Sequence, residues 1–384
     1  MFCFMKKIVY LCTLVLLSLN VMAQIDLNDR NWDTVFYDDF SSVRSWDPIS
    51  WNCVPDQKWN ATCLGKIVHG YKHEHQIYQY QNCQIDTLNK TINLLSEFDR
   101  YNRIPAHSYS KPNNVNYPNI YGQNYDENGE LWYFFSGAIT TKNLFFHYGY
   151  FEIRCSLPVH PGSFPAFWLF SSNTNSSNGY YNEIDIFEYS NSIATMDYYK
   201  QYTCGLYCDN EHYNSISHAR TNPILPGDAP DLRSYHVFAC EWLPYKVTWY
   251  VDGNRVNEYS VVDSIPHNPM KIVANYAINR CVFENQNINN QLLWNDSDIM
   301  TIDYIKVCSL KLDCEHDETI NCQYDMDNFD YSLKKSINIT SSIGNVLIRN
   351  TDKITFRVTN SFEITGPFTI VSGGDFTVIK QDCF

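Results

Sequence analysis

The chain has 384 residues, which leaves room for one large domain and a small second one. Its formal net charge is −14, and no run of basic residues is longer than a pair such as Lys6 and Lys7. Nucleic acids and anionic membranes are disfavoured as partners, because both are bound through basic patches. Aromatic residues make up 16% of the chain. That content is typical of β-rich folds and of surfaces that stack on sugar rings.

The N-terminal segment 1–23 has the pattern of a bacterial secretory signal. Two lysines precede an apolar run over residues 8–19, and the segment ends on the small residue Ala23. The run is too short to span a bilayer comfortably. We therefore expect cleavage after Ala23 and a secreted, cell-surface or periplasmic protein with no transmembrane segment.

The cysteine content fits an exported protein. Loss of Cys3 and Cys12 with the signal would leave twelve of the 14 cysteines (14 − 2). Some of these can pair in an oxidising compartment, and the local candidates are Cys204 with Cys208 and Cys314 with Cys322. Three others lie in apolar runs and are interpreted as small buried hydrophobic residues: Cys155, Cys240 and Cys308. The sequence has no C-x-x-C pair, which disfavours structural zinc.

Strand patterns dominate the chain after the signal. An opening strand is predicted over 32–40, followed by two strands over 74–86 and 91–97 and a long loop over 101–130. Further strands are predicted at close spacing over 131–141, 148–157, 166–170, 182–189, 235–242, 246–251, 270–277 and 301–308. No helix-period run of useful length occurs after residue 23. This order predicts an all-β sandwich over residues 24–310.

The composition changes at Lys311. Residues 311–335 are rich in Asp, Glu and Asn and are predicted to be a linker. Residues 336–384 contain short strand patterns separated by glycines, with a weak repeat of roughly ten to twelve residues. A segment of this size is small for an independent core, so we expect it to lean on its neighbour or on a partner.

The stretch from Asn182 to Tyr189 contains three acids among β-branched and aromatic residues. Alternate residues of a strand share a face, so Glu183 and Asp185 point the same way and Glu188 falls on the opposite face of a regular strand. One extra residue in a β-bulge would bring Glu188 to the same face. Three carboxylates would then line one groove. From the stretch alone, an acidic solvent-facing edge strand remains an alternative.

The surrounding motifs resemble glycoside hydrolase family 16, the laminarinase, agarase and carrageenase group. The motifs that carry the resemblance are Ser136–Ile139, Tyr148–Arg154, Pro165–Leu169, the acidic stretch, His236–Gly253 and Ile302–Val307. They occur in the family's order and cover roughly residues 30–310. The resemblance implies a β-jelly roll of two curved antiparallel sheets, concanavalin-like, with a sugar cleft on the concave face.

The resemblance also implies roles for the three acids. Glu183 would be the nucleophile, Glu188 the general acid and then the general base, and Asp185 the partner that hydrogen-bonds the nucleophile. Retaining glycosidases place the two reacting carboxyl groups roughly 5 to 5.5 Å apart. The extra residue before Glu188 identifies the chain with the bulged members of the family. No cofactor is expected for the chemistry.

Further site residues follow from the same resemblance. Five are expected to bind substrate: His73, Trp132, Arg154, Phe164 and Trp168. A surface ion pair is the alternative for Arg154, and core packing is the alternative for Trp132 and Trp168. Asp303, with Asp38 or Asp39 of the first strand, corresponds to positions where some members bind a structural calcium. Hard oxygen ligands suit that ion, so Asp39 and Asp303 are the expected ligands.

The expected function is a secreted, endo-acting, retaining hydrolase of a β-linked polysaccharide, with laminarin-type β-1,3-glucan as the default substrate. Asn182 stands where the family commonly has Gly, and His73 where it often has Asn, so the subsites differ from the commonest β-1,3-glucanases. Agar, porphyran and carrageenan are alternative substrates, and transglycosylation is an alternative reaction in the same cleft. A non-catalytic carbohydrate-binding jelly roll is the alternative of another class. The C-terminal segment resembles β-stack modules for surface attachment or export, which implies a cell-surface or export partner.

Overall fold

The computed structural model describes residues 31–50, 52–61, 76–98, 134–158, 162–173, 180–189, 201–210, 215–221, 223–225, 231–278 and 298–383. The predicted signal and the predicted loop over 101–130 lie outside these residues. In the described part, no helix is long and apolar enough to cross a membrane.

The described residues between 31 and 310 are built almost entirely from strands. Their bounds are β1 Trp32–Asp38, β2 Ser45–Trp46, β3 Cys53–Val54, β4 Trp59–Asn60, β5 Gln76–Tyr78, β6 Cys83–Asp86, β7 Thr91–Phe98, β8 Phe134–Ser136, β9 Ala138–Thr141, β10 Gly149–Ser156, β11 Ser163–Asn173, β12 Tyr180–Glu188, β13 Thr203–Asn210, β14 Ser215–Thr221, β15 His236–Leu243, β16 Lys246–Val251, β17 Asn254–Tyr259, β18 Lys271–Ile278 and β19 Asp298–Leu310. Short 3-10 turns occur at Tyr80–Asn82 and Val262–Ser264.

Two large sheets form a β-jelly-roll sandwich, as predicted. The first, called the outer sheet, has ten strands in the order β17-β16-β15-β10-β19-β7-β8-β5, with β1 beside β19 and β6 beside β7. The second, called the acid sheet, has seven strands in the order β14-β13-β12-β11-β18-β9-β4. The pairings are antiparallel apart from β5 with β8. One buried apolar cluster fills the space between the sheets.

The C-terminal part forms a parallel β-stack. Its elements are β20 Leu312–Ile320, α1 Gln323–Asp327, β21 Leu333–Ile339, β22 Val346–Ile348, β23 Lys353–Ile364, β24 Phe368–Ile370 and β25 Asp375–Lys380. The strands β20, β21, β23 and β25 pair side by side, and β22 pairs with β24. All of these pairings are parallel, and the stack has its own apolar core.

Two features of the C-terminal part differ from the prediction. The stretch 311–335 is no linker, because β20 lies inside it and pairs with β21. Paired residues of neighbouring coils lie 19 to 25 residues apart rather than ten to twelve, as in Asp317 with Ser336, Val346 with Phe368 and Ser336 with Ser361 (336 − 317, 368 − 346 and 361 − 336). The predicted spacing of ten to twelve residues is the distance from one strand to the next along the chain. Two such strands make one coil.

The stack docks against the outer sheet, which confirms the expectation that it leans on its neighbour. The Arg357 guanidinium lies 3.9 Å from the Glu241 carboxylate, and both side chains are buried. The same guanidinium lies over the ring of Trp32 at 5.6 Å, and Asn31 donates to the carbonyl of Thr355 at 2.9 Å. These contacts lie on the outward face of the outer sheet, so the stack does not cover the acid sheet.

The disulfide is not the predicted one. Cys314 bonds Cys383, with the two Cα atoms 6.0 Å apart, and Cys322 is a free thiol. A disulfide requires Cα atoms within about 7 Å of each other. The extended strand β20 places Cys314 and Cys322 farther apart than that. Cys204 and Cys208 lie four residues apart on the single strand β13 and form no disulfide with each other. The cysteines at 155, 240 and 308 are buried and unpaired, as predicted.

Candidate active site

The acidic strand β12 contains the predicted β-bulge. Against β11, Phe187 pairs with Phe167 and Asp185 with Trp168, so Ile186 is the extra residue. Against β13, the register also shifts between Asp185 and Glu188. The prediction of a bulge between these two acids is confirmed.

The bulge puts the three acids on one face of the acid sheet. Their partners on β11 are Phe170, Trp168 and Ala166, and their partners on β13 are Tyr207, Gly205 and Thr203, in the order Glu183, Asp185, Glu188. On each partner strand the three facing residues are two positions apart, so their side chains point to the same face of the sheet. The other side chains of this stretch enter the core between the sheets: Ile184, Ile186, Phe187 and Tyr189. Ile186 and Phe187 are consecutive and both face the core, which a regular strand does not allow and a bulge does.

The outer sheet holds the bulge from beneath. Trp249, on β16, donates its indole N–H to the backbone carbonyl of Asp185 at 2.8 Å across the buried core. A bulge disrupts the ladder locally, and this bond gives the carbonyl a partner where an unsatisfied buried group would be costly. Cys204 lies nearby on β13. Burial above all, with a further contribution from Asp185, raises the pKa of its thiol, so it remains a neutral apolar residue.

Glu183 lies within a cluster of aromatic side chains. The Tyr181 hydroxyl donates to Glu183 Oε2 at 2.6 Å. The Tyr181 ring meets the edges of Phe170, at 5.0 Å between centroids, and of Tyr207, at 5.3 Å. Glu183 and Glu188 are partly exposed, whereas Asp185 is buried. The site thus offers two accessible carboxylates on either side of a buried one.

Trp168 also lies on the acid face. Its ring packs against Phe170 at 5.5 Å, and its indole N–H donates to Asn275 Oδ1 at 2.7 Å. The Asn275 amide in turn donates to the Tyr78 hydroxyl at 3.0 Å. Trp168 is therefore a half-buried residue of the site's floor, not a member of the core between the sheets. Phe164 shares this face by alternation along β11 and is likewise half-buried.

Arg154 does not belong to this face, which corrects the prediction of a substrate contact. It lies on β10 of the outer sheet, between Ile153 and Cys155, which both face the core. Its side chain forms an ion pair with Asp303 and lies over the ring of Tyr235 at 4.5 Å. The alternative of a surface ion pair is correct.

The two predicted calcium ligands have other partners. Asp303 is paired with Arg154, and Asp39 accepts hydrogen bonds from Ser41, at 2.6 Å from the hydroxyl. The neighbouring Asp38 is buried against Arg44 and the Trp59 indole N–H. No group of three or more His, Cys, Asp or Glu side chains in the described ranges could hold a metal ion. Each of the two carboxylates thus has another partner, and a calcium site at Asp39 and Asp303 stays a prediction.

Two predicted substrate residues, His73 and Trp132, lie outside the described residues. Conversely, Tyr181, Asn275 and Tyr207 belong to the site and were not predicted. Alternation could have found Tyr181, because it precedes Glu183 by two residues on the same strand. The places of Asn275 and Tyr207 depend on which strands neighbour β11 and β12, which the local sequence does not specify.

Comparison with known proteins agrees with this geometry. Residues 98–305, which are 208 of 384 (305 − 98 + 1), match the family described as Glycosyl hydrolases family 16. A "Beta-glucanase" from Brevibacillus brevis is 29% identical over 140 residues, covering 36% of this chain and 48% of the relative. A "Kappa-carrageenase" from Pseudoalteromonas carrageenovora is 24% identical over 143 residues, covering 33% and 34%. The chain thus spans less than half the length of either relative.

The fold is shared with solved structures. One is described as "Prominent members of the human gut microbiota express endo-acting O-glycanases to initiate mucin breakdown". It has a TM-score of 0.51 at 20% identity and covers 73% of this chain and 92% of that chain. More than half of the sequence matches the family, and its acidic strand carries the bulge. The chain belongs to glycoside hydrolase family 16.

Proposed function

We propose that the protein is an endo-acting, retaining hydrolase of a β-linked polysaccharide. The observation that carries the proposal is the single bulge at Ile186, which aligns Glu183, Asp185 and Glu188 on one face. A strand with no catalytic duty would gain nothing from three neighbouring carboxylates, because like charges repel and buried ones are costly. A non-catalytic binding protein would not need all three.

The proposed mechanism uses two steps. A Glu183 oxygen attacks the anomeric carbon while the glycosidic C–O bond breaks and the leaving oxygen takes the proton of Glu188. Water then attacks the same carbon and gives a proton to Glu188, and Glu183 leaves as a carboxylate. Asp185, buried between them, keeps the site polar and helps the two outer carboxyl groups to differ in protonation.

We propose β-1,3-glucan of the laminarin type as the substrate, with galactans of the agar, porphyran or carrageenan type as the second candidate. The relative named beta-glucanase supports a β-glucan, the carrageenase relative supports the galactan alternative, and the choice of the β-1,3 linkage rests on the family motifs. The aromatic floor at Phe164 and Trp168 suits the apolar faces of sugar rings in either class.

A polysaccharide panel tests the substrate. Purified protein is incubated with laminarin, mixed-linkage β-glucan, agar, porphyran, κ-carrageenan and gastric mucin, and new reducing ends are counted. We expect release from laminarin and a mixture of oligosaccharides from the first minutes, because an endo-acting enzyme cuts within chains. Monosaccharide as the sole early product would contradict endo action. Binding to a glycan without product release from any of them would favour the non-catalytic alternative.

Export and surface attachment remain proposals. The signal-like segment 1–23 supports secretion or a cell-surface or periplasmic location. The C-terminal stack docks on the side of the sandwich away from the acids, which would leave the cleft open if the stack binds a surface or export partner. Transglycosylation differs from hydrolysis only in whether sugar or water attacks the intermediate, and an oligosaccharide acceptor added to the panel separates the two.

A further inference from the structure

Glu183 has a hydrogen-bond partner that the mechanism above does not use. The Tyr181 hydroxyl donates to Glu183 Oε2 at 2.6 Å. We propose that Tyr181 is a positioning residue that holds Oε2, presents Oε1 as the attacking atom and stabilises the carboxylate when it leaves the sugar. The inference rests on the proposed function of Glu183 as nucleophile.

The aromatic cluster restricts the Tyr181 ring. Phe170 and Tyr207 contact it on β11 and β13, with interplanar angles of 73° and 87°. The same two residues are the cross-strand neighbours of Glu183. The same contacts thus hold both the Tyr181 hydroxyl and the Glu183 carboxylate. The hydrogen bond between them therefore forms at little further cost in conformational entropy.

The chemistry gives the hydroxyl a role mainly in the second step. In the glycosyl-enzyme, Oε1 is bonded to the anomeric carbon and Oε2 is the carbonyl oxygen of an ester. As water attacks, the Oε1–carbon bond breaks and the electron pair returns to Glu183. A hydrogen bond to an ionised acceptor is about twice as strong as one to a neutral acceptor. The Tyr181 bond therefore strengthens as the carboxylate leaves, which favours that transition state.

The other groups near Glu183 do not duplicate this contact in the described ranges. Along β12 the charged neighbours are Asp185 and, beyond the bulge, Glu188, whose proton goes to the leaving oxygen in the first step of the proposed mechanism. On β11 the facing residue is Phe170, which carries no donor. On β13 it is Tyr207, whose ring meets that of Tyr181.

The test is Tyr181→Phe, which keeps the ring contacts and removes the hydroxyl. On the polysaccharide that the wild type cuts, we expect kcat to fall about tenfold and KM to fall with it, because the covalent intermediate accumulates. Mass spectrometry after acid quench should show a larger glycosyl-enzyme fraction than in the wild type. Tyr324→Phe, an exposed tyrosine of the C-terminal stack, is the matched control and should keep both constants.

A binding measurement separates positioning from substrate contact. In the inactive Glu183→Gln background, adding Tyr181→Phe should leave the Kd for the same polysaccharide unchanged. A raised KM with unchanged kcat, or a weakened Kd, would overturn the proposal. If Glu183→Gln is inactive and Tyr181→Phe has wild-type constants, this inference alone fails. If Glu183→Gln is fully active, the proposed function itself fails.

Discussion

Glu183→Gln is expected to abolish hydrolysis of every polysaccharide that the wild type cuts, with kcat lower by at least roughly 10⁴-fold. Gln has the shape of Glu and no charge, so the side chain can still accept from Tyr181, but its amide cannot form the covalent ester. The loss is measured as reducing ends released per enzyme over several hours. The change removes only the reacting group, so substrate binding should persist.

The matched control for this loss is Glu258→Gln. Glu258 is a partly exposed acid of β17, on the outer sheet, with Arg255 and Lys246 as its ion-pair partners. Exposed ion pairs contribute about 0–1 kcal/mol, so this variant should keep its fold and activity within about twofold. Equal losses in the two variants would show that the effect of Glu183→Gln is not specific to the acid face.

Changing the length of the bulge should have opposite effects in the two directions. Insertion of one alanine between Ile186 and Phe187 leaves three residues between Asp185 and Glu188, so a regular strand would carry Glu188 two residues, about 6.6 Å, past its place opposite Ala166 and away from Glu183. We expect loss of measurable hydrolysis. Deletion of Ile186 gives a regular strand in which Asp185 and Glu188 still share a face, since Phe187 alone then separates them. We expect this variant to retain hydrolysis.

The deletion has a cost in stability. Ile186 is buried in the core between the sheets, and loss of such a side chain typically destabilises by about 2–5 kcal/mol. The deletion variant should therefore melt earlier and still cut the substrate, whereas the insertion variant should not cut even below its melting temperature. Thermal melts and activity are measured on the same samples. An active insertion variant together with an inactive deletion variant would contradict the account of the bulge.

The acid face was predictable because its information is local. Alternation along β12 defines which residues share a face, and the position of Glu188 requires one extra residue. The substrate contact expected for Arg154 came from the family resemblance, and it was wrong because Arg154 lies on the outer sheet. The apolar residues 151, 153 and 155 showed that Arg154 points away from a core, but they do not indicate which of two sheets carries the cleft. That choice depends on long-range pairing between β10 and β19.

Two predictions for the C-terminal segment were wrong for a similar reason: the linker over 311–335 and the disulfide between Cys314 and Cys322. The strand β20 has the sequence LDCEHDETI and is mostly exposed, so it lacks the apolar alternation by which strands are recognised. Its strand structure comes from parallel pairing with β21. Cys383 is 69 residues from Cys314 in sequence and close only because the coils stack. Cys322 was predicted as the disulfide partner of Cys314 because it is near in sequence, but the extended backbone between them places the two residues too far apart.

The stereochemistry of the first product tests the central claim most directly. Proton NMR is recorded during hydrolysis of the polysaccharide that the panel identifies, before the new reducing ends mutarotate. Attack by Glu183 followed by attack of water inverts the anomeric carbon twice. The account predicts that the β-anomer appears first and the α-anomer later. Initial appearance of the α-anomer would mean single inversion and would contradict a covalent glycosyl-enzyme at Glu183.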